Sequence, residues 1–329
     1  MHPVLSAQLA EAARVLPEPV RQYYAGGAGD QLTVGEAEQA WWQVRLRPRV
    51  LRDVSRIDTG LDLFGVRLKT PVLTGPTAAH GLAHPDGEIA TARGTASAGS
   101  LLVLSSRSSR PLEQVPVGPW WFQAYVLCDR QLTLELAVRA AAAGAGAVVL
   151  TGDTPYLGDR PGATRIDLHG AAPPGSEQDP SAGLEVIDQL RTATGLPVLV
   201  KGVLRGDDAD ACLSAGAAGV VVSNHGGRQL DRAVATAAAL AEVAAVVAGR
   251  GPVLVDGGIR SGLDVLCALA LGADAVLLGR PILWALAAGG AAGVEQCLRA
   301  LTDDLAAGMG LAGASSLARV TSDLVERHH

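Results

Sequence analysis

The residues best suited to chemistry lie in one short stretch, where an apolar run ends in a polar turn. Residues 220–222 are all valine, Ser223, Asn224 and His225 follow, and Arg228 comes three residues later. The imidazole can exchange a proton near neutral pH. The guanidinium is a permanent cation whose planar fork suits a carboxylate or a phosphate. A base beside an anion clamp predicts proton abstraction from a small acid, and the alternative is a polar turn with a structural histidine.

The elements that must position this turn are alternating strands and helices. From residue 71 onward, short apolar runs alternate with Ala-rich stretches of helical character. This pattern indicates a parallel sheet that is covered on both faces. Eight such units favour a closed (β/α)8 TIM barrel over an open doubly wound sheet, and no Gly-x-Gly-x-x-Gly motif follows the first strand. The predicted strands are residues 71–75, 101–104, 120–124, 147–151, 198–201, 219–222, 253–256 and 275–278.

The organisation of the chain follows from its length and punctuation. With 329 residues, 48% of them hydrophobic, the chain can bury one large core. Residues 1–70 are predicted to form N-terminal helices and a hairpin that closes one end of the barrel, and residues 71–329 the barrel itself, within a single domain overall. The helical part, residues 5–25, has a break at Pro17 and ends at Tyr23-Tyr24 before two glycines.

Polar residues follow the predicted strands, and the ends of parallel barrel strands share one rim. A set of Thr, Gln, Lys, His and Arg side chains on one rim predicts a functional site. The residues at the strand ends are Thr77, Ala78, Ser105, Gln123, Tyr125, Thr151, Asp153, Lys201, His225, Arg228, Asp256, Arg260, Gly279 and Arg280.

The turns after the last two strands predict a phosphorylated ligand. Asp256-Gly257-Gly258 leads to Arg260 and then into a helix, and Gly279-Arg280 follows the eighth strand. Glycines let a phosphate approach the backbone, helix N-termini offer free N–H groups, and the arginines add charge. From the residues alone, FMN and a phosphosugar fit equally well.

Composition excludes several other classes of partner. The net charge of −6 argues against non-specific nucleic-acid binding. The four cysteines form no close pairs, as expected for reduced thiols in a cytoplasmic protein and not for a disulfide framework or a zinc site. No signal peptide and no apolar stretch long enough to span a membrane is evident, so we expect no association with a membrane. Because the cysteines do not suggest a zinc site, we expect no metal either.

Residues 223–229, Ser-Asn-His-Gly-Gly-Arg-Gln, resemble the signature of the FMN-dependent L-2-hydroxy-acid oxidases and dehydrogenases, the family of glycolate oxidase, lactate oxidase, mandelate dehydrogenase and hydroxymandelate oxidase. The resemblance extends over most of the chain and implies FMN as the cofactor. It assigns the Asp-Gly-Gly-x-Arg and Gly-Arg segments to the phosphate. It places Lys201 near N1 and the C2 carbonyl of the flavin ring. The other positions it assigns to the cofactor are Thr77, Ala78, Ser105, Gln123, Thr151 and Ser223.

The resemblance also implies the reaction, oxidation of an L-2-hydroxy acid to the 2-oxo acid. Arg228 and Tyr23 are expected to bind the substrate carboxylate, and Arg160 matches another arginine of the substrate region. His225 is expected to act as the base, on the α-carbon or on the hydroxyl. The two remaining assignments are Asp153, which orients the histidine, and Tyr125, which hydrogen-bonds the substrate oxygen.

The chain departs from the family pattern at the edge of the predicted pocket. Arg107 stands where relatives often carry an aromatic residue, and Leu127 replaces a tyrosine of the glycolate oxidases. The loop over residues 158–183 is short and lacks an Asp and an Asn of the family. These changes favour an aryl or larger, mandelate-like acid over glycolate.

Several alternatives stay open at this point. Reduced flavin is expected to be reoxidised by O2, and a quinone or carrier protein is the alternative acceptor. A monooxygenase, an FMN-dependent isomerase and a flavin-binding protein without turnover are further alternatives. Family analogy favours a homo-oligomer, a homotetramer in particular.

Overall fold

The computed structural model describes residues 1–115, 117–160 and 175–327. Within these ranges, eight parallel strands form a closed barrel, and each lies at a predicted position. The predicted (β/α)8 fold is therefore confirmed. The barrel strands are β4 (Val72–Thr74), β5 (Leu102–Ser105), β6 (Trp120–Ala124), β7 (Val148–Thr151), β8 (Val198–Val203), β9 (Gly219–Val222), β10 (Val253–Asp256) and β11 (Ala275–Leu278).

Alternation along the strands divides the core into two parts, because successive side chains point to opposite faces of a strand. Leu73, Val103 and Trp121 point into the barrel, where they pack with Leu63 and Leu68 of a hairpin. That hairpin consists of the antiparallel pair β2 (Leu61–Leu63) and β3 (Val66–Leu68). Side chains on the outer face of the strands pack beneath the helices.

Helices cover the outside of the barrel. Asp129 caps the N-terminus of one by accepting from two backbone N–H groups, and Ser261 caps another. The last helix bends at Gly289 and Gly290, which are not helical. Among the described residues these helices are α4 (Glu88–Ser97), α5 (Arg130–Ala142), α6 (Glu185–Thr194), α7 (Gly206–Ser214), α8 (Thr236–Val247), α9 (Gly262–Ala270) and α10 (Arg280–Ala312).

The N-terminal segment lies against the barrel and reaches the rim. The helices α1 (Pro3–Val15) and α2 (Glu18–Ala25) confirm the predicted pair with its break. The sequence did not predict α3 (Leu32–Trp42), nor the pairing of β1 (Val44–Leu46) with β12 (Val325–Arg327) near the other end of the chain.

Two observations bear on the remaining expectations for the chain. None of the helices in the described ranges combines the length and the apolar composition needed to cross a bilayer. The loop predicted to be short, residues 158–183, lies in part outside the described residues, since its positions 161–174 belong to none of the ranges.

Candidate active site

A cavity of about 600 Å³ lies at the carboxyl ends of the barrel strands. This volume is within the usual range for small-molecule sites, and the location is where barrels of this kind place their chemistry. Of the predicted site residues, Asp153 and Ser223 lie just behind the wall of the cavity. The others line it: Tyr23, Thr77, Ala78, Ser105, Gln123, Tyr125, Thr151, Arg160, Lys201, His225, Arg228, Asp256, Gly257, Gly258, Arg260, Gly279 and Arg280.

The candidate base is held by a hydrogen bond on one side of its ring. His225 begins the turn after β9, with a positive φ of 57° that is unusual for a residue with a side chain. Its Nδ1 lies 3.0 Å from Oδ1 of Asp153, and its backbone N–H donates to Ser223. Burial acts to raise the pKa of Asp153, but the hydrogen bond and charge of His225 outweigh it and hold the pKa below its ordinary value. The carboxylate is therefore ionised near neutral pH and favours the proton on Nδ1, which leaves Nε2 to act as a base.

Lys201 carries a buried positive charge at the end of β8. Its Nζ donates to Oγ of Ser223 at 2.6 Å and lies 2.9 Å from Oδ2 of Asp256. Burial disfavours the ammonium, but the charges of Asp256 and Asp153 prevail, so the pKa of Lys201 is raised. The second oxygen of Asp256, Oδ1, is buried without a hydrogen-bond donor from the described residues. A hydroxyl group of a ligand could satisfy it.

Three neighbouring strands supply a row of hydrogen-bonding groups. Ser105 Oγ donates to Gln123 Oε1 at 3.0 Å, and Gln123 Nε2 donates to Thr151 Oγ1 at 2.8 Å. These bonds fix the orientation of the buried amide across β5, β6 and β7. Because all three side chains also line the cavity, the row can present donors and acceptors to the polar edge of a planar ring.

Helix α3 packs closely against the turn after β10. Gly257 and Gly258 have positive φ values of 88° and 75°. Trp41 Nε1 donates to the carbonyl of Gly257 at 2.8 Å, and a Cβ at Gly258 would lie 2.0 Å from the carbonyl oxygen of Ala37. Glycine at position 258 is therefore required both by the backbone conformation and by the close contact with α3.

Two partly buried arginines bring positive charge to this turn. Nε of Arg260 lies 3.0 Å from Glu38 of α3. Arg280 donates to the carbonyls of Tyr24, Gly26 and Gly226. Burial and the charges of Arg228 and Arg260 lower the pKa of Arg280 to about 9. It remains cationic at neutral pH, and an anion beside it would stabilise its charge, so the turn can bind a phosphate.

The side of the cavity next to His225 carries further arginines. Arg228 Nη1 donates to the carbonyls of Tyr23 at 2.8 Å and Gly26 at 2.9 Å, and its guanidinium lies 5.2 Å from the ring centre of Tyr23. Arg160 Nε donates to the carbonyl of Arg228 at 3.3 Å. These contacts bring the predicted carboxylate clamp together beside the candidate base.

Several residues that support the site were not predicted. Tyr24 donates its hydroxyl to the carbonyl of Ala79 at 2.7 Å, which ties α2 to the turn after β4. In that turn Thr77 Oγ1 lies 2.6 Å from Nε2 of buried His80. Glu88 of α4 accepts a hydrogen bond from the backbone N–H of His80 at 2.9 Å, which holds the turn against that helix. The sequence drew attention to the two adjacent tyrosines, but which of them hydrogen-bonds to the turn after β4 depends on how α2 packs against that turn.

The fold and cavity define a class of protein, a (β/α)8 barrel with a site for a phosphorylated cofactor beside a site for a small acid. The family model for FMN-dependent dehydrogenases matches residues 12–180 and 167–327. The chain therefore belongs to the FMN-dependent dehydrogenase family, as the residues of the turn after β9 predicted.

Individual relatives agree with this assignment. Glycolate oxidase 3 of Arabidopsis thaliana is 42% identical over 94% of this chain and 92% of that protein. An L-lactate oxidase of a Nostoc strain is 42% identical over 90% of both chains. A crystal structure of mandelate oxidase superposes with a TM-score of 0.92 at 41% identity and covers 98% of both chains.

FMN is thus the cofactor, as predicted, and the residues present fit it. Arg260 and Arg280, which line the cavity beside the glycine turn, suit its phosphate. The unpartnered oxygen of Asp256 suits a ribityl hydroxyl. Lys201 and the row from Ser105 to Thr151 suit the polar edge of the flavin ring.

Proposed function

We propose that the protein oxidises an L-2-hydroxy acid to the corresponding 2-oxo acid and that O2 reoxidises the reduced flavin. The observation that carries this proposal is the pairing of His225 with Asp153 at 3.0 Å beside the clamp of Arg228 and Tyr23, in the cavity that suits FMN. A base, a carboxylate clamp and a flavin site in one cavity are the components that this reaction needs.

His225 performs the proton transfer in this proposal. The alcohol loses two electrons and two protons when it becomes a 2-oxo acid, and FMN, when bound, would supply the acceptor of the electrons and of the proton that His225 does not take. Nε2 of His225 accepts one proton, from the α-carbon or from the hydroxyl. The ionised carboxylate of Asp153 then stabilises the imidazolium.

The substrate is oriented by the clamp. Arg228 uses Nη1 for the carbonyls at the end of α2, so its guanidinium is fixed while other N–H groups remain for the substrate carboxylate. Arg160, attached to the backbone of Arg228, adds a second cation. Burial raises the pKa of Tyr125, so its hydroxyl stays protonated and can donate to the substrate oxygen.

We propose a substrate with a side chain larger than that of glycolate. Arg107 lines the cavity at the position where relatives often carry an aromatic residue, whereas Leu127 is buried and does not line it, contrary to the expectation from the sequence. A structure of a mandelate oxidase variant with a similar fold holds (S)-mandelic acid. An aryl or otherwise larger 2-hydroxy acid is therefore the first class to try.

We also propose that the protein forms a homo-oligomer. Val50 and Leu51 are 78% and 100% exposed, and Leu311 near the end of α10 is 82% exposed. The backbone N–H of Arg49 donates to Ala312, so these apolar side chains belong to one region of the surface. Burial of such residues favours association. Sedimentation velocity checks this, and a monomer at micromolar concentration would contradict it.

A cytoplasmic setting is proposed on the basis of the cysteines. Cys212, Cys267 and Cys297 are buried, Cys128 is exposed, and all four are free. Burial raises the pKa of Cys297 to about 12, so that thiol is unreactive. Free thiols are typical of a reducing compartment. Fractionation of the source cells and detection of the protein in the soluble cytoplasmic fraction would test this.

The decisive experiment is a visible spectrum of the purified protein, mixed without oxygen with a panel of L-2-hydroxy acids from lactate to mandelate. We expect one acid to bleach the flavin band and air to restore it. A bleached band that air does not restore indicates a dehydrogenase with a quinone or carrier acceptor. Release of CO2 and a shortened acid indicates a monooxygenase. A flavin band that no acid bleaches contradicts the proposed function and leaves a flavin-binding protein.

A further inference from the structure

Arg107 occupies a fixed position on the wall of the cavity. It follows the end of β5, where its backbone N–H donates to Ser105 Oγ at 3.1 Å and its carbonyl accepts from the N–H of Ala79, also at 3.1 Å. The backbone is thus held from both sides. The guanidinium lies 5.0 Å from the ring centre of Tyr125, so the cation stands over a residue of the proposed substrate site.

The guanidinium of Arg107 differs from its neighbours in its contacts. Arg160, Arg228 and Arg280 each donate to backbone carbonyls, and Arg260 pairs with Glu38. In the portion of the chain that the structure describes, the guanidinium of Arg107 has no hydrogen-bond acceptor and no carboxylate partner. Its polar contact is with the aromatic face, and it is half-buried.

Among the residues that the structure describes, the charges around this part of the cavity are unbalanced. Asp153 is engaged with His225 and Asp256 with Lys201. Asp159 also lines the cavity, but it is exposed and forms no described ion pair. Against it stand Arg107, Arg160 and Arg228. A substrate with one carboxylate uses the clamp and leaves Arg107 without an anion.

We propose that Arg107 binds a second anionic group on the substrate, so that the protein prefers a 2-hydroxy dicarboxylic acid to acids with one carboxylate. This inference rests on the proposed function and specifies its substrate. The first carboxylate occupies the clamp of Arg228 and Tyr23, and the second reaches Arg107 beyond Tyr125. The second carboxylate takes no part in the oxidation, and its contribution is to binding and orientation.

The test compares matched acids on the FMN-loaded protein. (S)-2-hydroxyglutarate and (S)-malate are set against (S)-2-hydroxyhexanoate, (S)-lactate and (S)-mandelate. Anaerobic flavin reduction gives the rate, and calorimetry with 2-oxoglutarate and 2-oxohexanoate gives affinity without turnover. We expect 2-oxoglutarate to bind about 10- to 100-fold more tightly than 2-oxohexanoate, since hydrogen bonds to charged groups contribute strongly.

Variants separate charge from shape. Arg107→Met should abolish the preference, Arg107→Lys should retain part of it, and Arg107→Glu should favour (S)-6-amino-2-hydroxyhexanoate. Arg110→Met is the matched control, because Arg110 lies in the same loop, contacts the carbonyl of Pro85 and does not line the cavity.

The outcomes distinguish this inference from the proposed function. If mandelate or hydroxyhexanoate reduces the flavin as well as the dicarboxylic acids and Arg107→Met changes neither rate nor affinity, the role of Arg107 is overturned while the reaction stands. If none of the acids reduces the flavin, the proposed function fails. A preference for 2-oxoglutarate that persists in that case and disappears in Arg107→Met still supports anion binding by Arg107.

Discussion

The two arginines of the cofactor half of the cavity and Arg107 of the substrate half are held in different ways. On the cofactor half, Arg260 and Arg280 are joined to Glu38 and to the carbonyls at the end of α2, so elements from distant parts of the chain fix them. On the substrate half, Arg107 is fixed through its own backbone, and its guanidinium rests on Tyr125. The cofactor half is thus built into the fold, and so is Arg228 of the substrate half, which donates to the same end of α2. The side chain of Arg107 can change without disturbing these contacts. Substitutions in the cofactor half should therefore weaken FMN binding, whereas substitutions in the substrate half should affect flavin reduction or substrate binding.

The largest effect is expected for the base. His225→Gln should keep bound FMN but slow flavin reduction by about 10²- to 10⁴-fold, the usual contribution of a general base. Anaerobic stopped-flow absorbance measures the rate, and the ratio of flavin to protein absorbance measures retention. His84→Gln is the control, because His84 does not line the cavity. Reduction by His225→Gln at the wild-type rate would remove His225 from the mechanism.

The partner of the base should give a smaller effect with a characteristic pH dependence. Asp153→Asn should slow flavin reduction by about 100-fold, near the lower end of the range for such groups. The pKa of Asp153 is lowered from its ordinary value, so its pairing with His225 is present above the ordinary pKa of a carboxyl group and is lost as the pH falls through the lowered value. An amide in place of this carboxylate does not titrate, so the loss of rate that follows protonation of Asp153 at acidic pH should be absent from the profile of the variant. A profile that keeps its shape and position would indicate that Asp153 has a structural role alone.

The contrast between the halves is sharpest for the arginines. Arg280→Gln removes a buried cation that suits the phosphate and should weaken FMN binding by about 3 kcal/mol, or roughly 100-fold. Arg107→Met should change FMN affinity by less than about twofold, because Arg107 belongs to the substrate half. Titration of the apoprotein with FMN, followed by quenching of flavin fluorescence, measures both. Equal losses in the two variants would contradict the division of the cavity.

The sequence predicted what local patterns determine. Each barrel strand is a short apolar run followed by a polar turn. Its position in the sequence and the residues at its end can therefore be predicted without knowledge of the tertiary contacts. The glycine turn with Arg260 and the turn with His225 were found in this way. The resemblance then supplied roles for Lys201 and Asp153 that spacing alone does not give.

The sequence did not predict what depends on packing between distant segments. Helix α3 starts after Gln31, which is left-handed and provides no side-chain cap, and it contains Gly35. Its helical character is therefore weak in isolation, yet it supplies Glu38 and Trp41 to the cofactor half. Arg107 was visible as a departure from the family, but its position over Tyr125 required the structure.

The contact between α3 and the glycine turn can be tested by stability alone, with the smallest expected effect. Gly258→Ala places a Cβ 2.0 Å from the carbonyl oxygen of Ala37, in a backbone with φ of 75°. Gly65→Ala is the matched control, since Gly65 has φ of 79° and nothing within 4 Å of its Cβ position. Both variants incur the strain of positive φ, about 1 kcal/mol, but Gly258→Ala must also displace α3, so its unfolding free energy should fall by about 1–2 kcal/mol more.

Urea unfolding of the FMN-free proteins gives this difference without the contribution of bound cofactor. Displacement of α3 also moves Glu38 away from Arg260. We therefore expect Gly258→Ala to bind FMN more weakly and Gly65→Ala to bind it as the wild type does. An equal loss of unfolding free energy in the two variants would mean that α3 can shift without destabilising the protein. The contact between α3 and the glycine turn would then not fix the cofactor half more rigidly than the substrate half.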